Sequence, residues 1–246
     1  MFNINASDIV MWLLSLPIVL LALSVHEASH GFMAYKLGDQ TARNFGRLTL
    51  NPIKHIDPIG FVCMVLFHFG WAKPVPVNSR YLKKPRRDMA LTAAAGPISN
   101  VLLSLIFAAI LRFEIFLFKE YFLSGILEPT LGFKIFTIVT YMTFIGVLLN
   151  ISLAIFNLIP IPPFDGSRIA YTFLPVNLYF KVMKYERFIM LGILALMFFT
   201  PVFDVAVSPV INWLTESVMS IFGFSKFDNY LSLEIILNYV EASLIS

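Results

Sequence analysis

The stretch LALSVHEASHGFMAY, residues 21–35, decides the fold: an apolar run ends on His26, Glu27 and His30. The run continues upstream through MWLLSLPIVL, so residues 8–33 read as one helix. Crossing the hydrocarbon core of a bilayer takes about 20 mostly apolar residues, and this segment is long enough. A titratable group at the centre of such a span costs about 3 kcal/mol, so a chain that keeps three of them there gives them a task. Two histidines four apart project from one helix face and can both reach one ion, with the intervening glutamate placed to take a proton from a nearby water. A polar helix end at the membrane interface is the plain alternative, and the short pattern alone leaves it open.

The rest of the chain extends the membrane reading. Of 246 residues, 58% are hydrophobic and 13% charged, whereas soluble domains average about 25% charged. The expected fold class is therefore an all-α polytopic membrane protein. Segments 89–112, 134–158 and 187–203 qualify as further spans beside 8–33, giving four. The apolar run in 56–70, DPIGFVCMVLFHFG, is too short for a confident crossing and reads as a re-entrant segment or hairpin. Beyond it, the tail 204–246 alternates apolar stretches with Asp204, Glu216, Lys226, Asp228, Glu234 and Glu241, the pattern of interfacial amphipathic helix. One domain over 1–246 is expected, with core spans 8–33, 89–112 and 134–158 and an accessory span 187–203. Cys63 is the only cysteine, which excludes an intrachain disulfide and a multi-cysteine metal cluster. MFNINASDIV has no Lys or Arg and so lacks the basic start of a cleaved signal peptide; the first span is expected to stay in the mature protein.

Basic residues orient the spans. Ten of the 18 lie between Lys36 and Arg87 and four between Arg168 and Arg187; only Arg112, Lys119 and Lys134 fall near the connection between the second and third core spans. The 36–87 and 159–187 segments are therefore expected in the cytoplasm, and the N-terminus and tail outside. A full crossing by 56–70 would put the two basic regions on opposite sides, so re-entry is the consistent reading. The end of the first span and the end of the third then meet at one face.

At that face the chain reads FNLIPIPPFDGSRIA, residues 156–170. Pro160, Pro162 and Pro163 cannot continue a helix. Unwound backbone at membrane depth is tolerated only where protein or a wet cavity satisfies it. The break lets Asp165 turn back toward the histidines as a third ligand, with Gly166 expected to permit a tight turn. A Pro-rich loop with a turn Asp is the alternative in isolation.

HEASH in a transmembrane segment, followed far downstream by NLIPIPPFDG, resembles the site-2 protease family of intramembrane zinc metalloproteases. GWAKPVPVN (70–78) and AAAGPISN (93–100) also look like that family's intervening motifs, so the resemblance covers most of the chain. No PDZ-like or nucleotide-sensing insertion is evident, as in compact, core-only members. The resemblance implies one zinc ion per chain on His26, His30 and Asp165, Glu27 as general base, and Asn157 as a group that stabilises the oxyanion. It implies peptide-bond hydrolysis in a single-span membrane protein, in a bacterial plasma membrane, with the active site toward the cytoplasm.

The residues themselves leave some roles open. Asn157 can equally cap its helix or bond across helices. Asn100 follows the small-residue surface Ala93–Gly96, so it is either an active-site neighbour or a packing contact. His68 could approach the site if 56–70 re-enters, and His55 reads as interfacial. Arg80–Arg87 reads as a contact with anionic lipid headgroups rather than nucleic acid. The extended 70–78 segment, or the edge of 56–70, is expected to pair with an unwound substrate by strand addition. Two alternatives compete with a protease: a membrane protein that binds or transports a metal, and a catalytically silent scaffold of the same fold.

Overall fold

The computed structural model describes residues 6–67, 70–122, 131–224 and 233–240. His68 lies outside the described residues. The chain is all-α: α1 (Ala6–Lys36), α2 (Thr41–Asn44), α3 (Pro58–Phe67), α4 (Pro85–Phe122), α5 (Leu131–Leu158), α6 (Asp165–Tyr171), α7 (Val176–Phe199) and α8 (Val202–Ile221). A last helical segment covers 233–240.

Among the described residues, three helices are long and apolar enough to cross a membrane: α1, α4 and α5. They correspond to the expected core spans, with α4 running ten residues past 112 to Phe122. The accessory span is drawn differently. α7 begins at Val176, so its first half carries Lys181, Lys184, Glu186 and Arg187, and it stops at Phe199. Thr200 is extended and Pro201 has no N–H to offer the preceding turn, so the apolar run is cut before α8. The expected boundary at 203/204 therefore falls inside a helix.

α4 is the central element. Its buried face presents Leu111, Ile115 and Phe118 to Val147 and Ile151 of α5, with Ile18 of α1 and Val218 and Met219 of α8 closing the core. Its opposite face exposes Ile98, Leu102, Ile106, Ile110 and Phe113. The spacing of three to four keeps this stripe on one side. So large an apolar surface suits lipid rather than water.

The ends of the 57–71 segment are brought together. Ile56 and Ala72 form an antiparallel bridge, and the Lys73 N–H donates to the His55 carbonyl at 2.8 Å. Gly60 and Gly70 allow this return, because a Cβ on either would collide with the backbone oxygen of Trp71 or of Gly60. The described ends of the segment therefore lie side by side. His55 is 2% exposed, its Nε2 facing the Thr49 carbonyl at 2.8 Å, and is a buried strut rather than an interfacial side chain.

Candidate metal centre

The last turns of α1, the first turns of α4 and the end of α5 lie at one end of the bundle. α1 supplies His26 and His30 from one face. The break after α5 returns Asp165 to them as the first residue of α6. His26 Nε2 lies 3.0 Å from Asp165 Oδ2 and 3.0 Å from His30 Nε2; His30 Nε2 lies 3.1 Å from Asp165 Oδ2. A tetrahedral ion with ligands at about 2.0–2.1 Å holds those ligands about 3.3 Å apart. The triangle is therefore the size of a metal site.

The chemistry of the donor set tests the fit. His30 Nδ1 faces the Thr92 carbonyl at 2.7 Å. A carbonyl only accepts, so Nδ1 carries the hydrogen and Nε2 of the neutral ring is bare. A bare nitrogen and a carboxylate oxygen 3.1 Å apart repel unless a proton or a cation lies between them. Two imidazoles, a carboxylate and an open fourth position are the donor set of a catalytic divalent-metal site.

Two glycines make the approach possible. A Cβ on Gly96 would lie 2.5 Å from the His30 ring and 2.6 Å from His26. The AAAG surface of α4 thus lets that helix lie flat against both rings. Gly166 is needed for a reason other than the expected one. Among the described residues, the glycines with positive φ are Gly38, Gly46 and Gly223. A Cβ on Gly166 would instead strike the carbonyls of Leu158 and Ile159, so close approach, not conformational freedom, requires glycine beside Asp165.

Glu27 lies between the two histidines in sequence and accepts a hydrogen bond from the Val75 N–H at 2.8 Å. Val75 belongs to PVPVN; Pro74 and Pro76 have no N–H, so Val75 is the sole backbone donor of that triplet. The segment is pinned by Arg47 Nη2 on the Lys73 carbonyl at 2.5 Å and by the Asn78 N–H on Asp39 Oδ2 at 2.6 Å. The N–H groups of Lys73, Val75 and Asn78 are engaged within the protein, as is the Lys73 carbonyl, and the Pro74 carbonyl lies 3.4 Å from the same guanidinium nitrogen.

Asn100 is brought onto the centre: its Oδ1 lies 2.5 Å from His26 Nδ1. Asn157 is partly buried and donates to the Leu153 carbonyl of its own helix at 2.9 Å, which engages one of its two amide hydrogens. Thr92, Gly96, Val75 and Asn150 were not singled out from the sequence as members of the site. Gly96 and Val75 lie in the AAAGPISN and GWAKPVPVN stretches noted above, and Asn150 stands out as a lone amide in the apolar stretch VLLNISLA.

Comparison with known proteins agrees with this geometry. The profile of peptidase family M50 matches residues 15–200. The candidate zinc metalloprotease YwhC of Bacillus subtilis is 37% identical over 205 residues, covering 83% of this chain and 89% of its own. The candidate zinc metalloprotease Rip2 of Mycolicibacterium smegmatis is 26% identical over 219 residues, covering 86% and 74%. Rip2 of Mycobacterium tuberculosis is 28% identical over 153 residues, covering 60% and 52%. No solved structure matches the chain.

Proposed function

The chain belongs to peptidase family M50 and is a membrane-embedded zinc metalloprotease, and from that premise we propose that it is an endopeptidase that cuts within or near the transmembrane segment of a single-span membrane protein. The observation that carries this reading is the convergence of His26, His30 and Asp165 at 3.0–3.1 Å beside a glutamate that is not itself part of the triangle.

His26 Nε2, His30 Nε2 and an Asp165 oxygen would hold one zinc per chain. When bound, it supplies Lewis acidity that polarises a carbonyl and brings the pKa of a water to about 7. Glu27 takes the proton from the attacking water at a carboxylate oxygen and returns it to the leaving amine. The Val75 N–H holds Oε2, which points the carboxylate and leaves Oε1 for the proton. The second amide hydrogen of Asn157 is directed to the developing oxyanion, a donor of the kind worth about 3–4 kcal/mol.

The substrate lies against α1 and α3, beside a small groove lined by Leu20, Leu23, Ser24, Met64, Trp71 and His55 that is too small to enclose a peptide segment. Leu20, Ser24 and Glu27 fall on one face of α1, so the groove runs toward the base. Because a helical peptide bond is shielded by its own hydrogen bonds, the substrate unwinds there. Pairing then uses the substrate's N–H groups against carbonyls of 70–78. The hairpin 57–71 re-enters the membrane, α7 is an accessory span, and the tail lies at the interface. With the N-terminus outside, the three core crossings put the metal centre at the cytoplasmic side, where Lys36–Arg87 is rich in basic residues that meet anionic lipid.

The test is cleavage of a panel of single-span proteins in detergent by wild type and Glu27→Gln, with zinc measured on both. Cutting within the span by wild type alone, with about one zinc on each, is the expected result. A folded wild type without zinc would sink the reading. Zinc on both with equal turnover would remove Glu27 as the base.

A further inference from the structure

Resting on that metal reading, we infer that Asn100 and Asn150 form a directional relay that fixes which nitrogen of His26 faces the metal. His26 and His30 are oriented by different means. His30 Nδ1 meets a backbone carbonyl, which accepts whatever its surroundings. His26 Nδ1 meets the side-chain amide of Asn100, and an amide can present either its oxygen or its nitrogen. Its direction must be set from elsewhere.

It is set from α5. Asn150 Nδ2 donates to the Gly146 carbonyl at 2.8 Å, a group with no hydrogen, so the Asn150 oxygen faces the other way. That oxygen accepts from Asn100 Nδ2 at 2.8 Å, and the Ala22 carbonyl of α1 lies 3.4 Å from the same nitrogen. Turning Asn100 over would set its oxygen against two acceptors. Asn100 Oδ1 therefore faces His26, Nδ1 of His26 carries the hydrogen, and Nε2 is bare toward Asp165 and His30. Asn100 and Asn150 are both 0% exposed, so water cannot replace a lost link. The helix that orients His26, α5, thus also leads through the break that follows it to Asp165 at the start of α6. Both asparagines are positioning residues.

The readout is zinc affinity of the purified full chain, measured by competition with a chelator, on five variants. Asn150→Leu and Asn100→Leu are expected to lose about 10–100-fold in affinity. Asn100→Asp is expected to lose less affinity than Asn100→Leu, because one carboxylate oxygen still accepts from Nδ1–H, although the other now faces Asn150 Oδ1 and the Ala22 carbonyl. In the Asn100→Asp background, adding Asn150→Leu is then expected to cost nothing and to recover part of that loss, since it removes an acceptor that faces the carboxylate. Ile151→Ala, an equally buried change on α5 off the relay, should leave affinity unchanged. The relay is overturned if Asn150→Leu binds zinc like wild type, or if its cost is the same in both backgrounds, or if Ile151→Ala costs as much. Should Asn150→Leu not fold, Asn100→Leu and Asn100→Asp decide, and equal affinities would overturn the relay. Absence of zinc from folded wild type would overturn the metal reading and the relay with it.

Discussion

At one end of the contact between α4 and α5, Asn100 and Asn150 are wholly buried beside His26. Fourteen residues further along α4, about 21 Å at helical rise, Glu114 is buried against Thr143 of α5, with Thr140 and Thr137 on the same side. Both ends place polar side chains inside an otherwise apolar interface, yet their hydrogen bonds run in opposite senses. Thr137 and Thr140 donate to the carbonyls of Lys134 and Phe136 on their own helix, and Thr143 donates to Glu114 Oε1 at 3.1 Å. Each donor at that end is used up locally. At the other end the hydrogens are turned outward, to the Thr92 carbonyl and to Asn100, so that lone pairs are left converging on one point. The convergence of acceptors, rather than burial or polarity, marks a metal centre.

The most damaging change to that centre is predicted to be chemical rather than structural. Glu27→Gln keeps the shape and the contact with the Val75 N–H through its amide oxygen. It removes the proton acceptor. Cleavage should fall about a thousandfold, within the 10²–10⁴ range of general-base loss, while zinc content and thermal unfolding stay at wild-type values. Turnover assays beside metal analysis check this; loss of zinc in the variant would show that Glu27 belongs to the triangle instead.

Gly96→Ala tests whether closeness of α4 creates the convergence. Its Cβ would sit 2.5 Å from the His30 ring and 2.6 Å from His26, so both rings or the whole helix must shift. Overpacking of this kind costs about 1–3 kcal/mol, and displaced ligands should lower zinc affinity about 100-fold, consistent with 2.7 kcal/mol at roughly 1.4 kcal/mol per tenfold. The same substitution at Gly146, toward the far end, would meet the Phe107 ring at 2.7 Å, a collision with packing and not with a ligand. Chelator competition decides, and unchanged affinity would mean that the rings have room that the packing denies.

How much of this was legible in the sequence depends on the range over which each cause acts. The three core helices were legible because apolar length is a local property, and His26 and His30 because a four-residue spacing fixes their shared face. Asp165 was found from the proline break and the family resemblance. The end of α7 was missed because the apolar run continues past Thr200, where one proline outweighs it. Gly166 was found for the wrong reason: the carbonyls that exclude a Cβ lie seven and eight residues back and are known only once the loop has folded. Thr92 and Val75 act through backbone groups, which no residue type announces. Asn150 is visible as a lone amide, but its direction depends on a packed partner on another helix.

A smaller effect is predicted where the pinned segment meets the base. Val75→Pro removes the single N–H that holds Glu27 and suits a triplet already flanked by prolines. Val75→Ala keeps the N–H and loses the same packing against Gly31. A hydrogen bond to a charged group contributes about 1.5–3 kcal/mol. Cleavage by Val75→Pro should therefore fall about tenfold below Val75→Ala with zinc unchanged, measured as kcat on one substrate. Equal rates for the two variants would reduce the contact to packing.

The smallest effect should come from the far end, and that is what would seal or break the contrast. Glu114 Oε1 accepts from Thr143, while Oε2 is buried without a hydrogen bond among the described residues. An unpaired buried carboxylate is costly to keep charged. Glu114→Gln has the same length and keeps an acceptor for Thr143. Its new N–H₂ also meets a helix face already lined with threonine oxygens. Unfolding in detergent should therefore shift by no more than about 1 kcal/mol, in either direction, and zinc affinity and cleavage should not change. If Glu114→Gln lowered zinc affinity as Gly96→Ala is expected to, the two ends would be one coupled network, and helix packing along the whole length of α4 and α5, not the local convergence of acceptors, would set the metal centre.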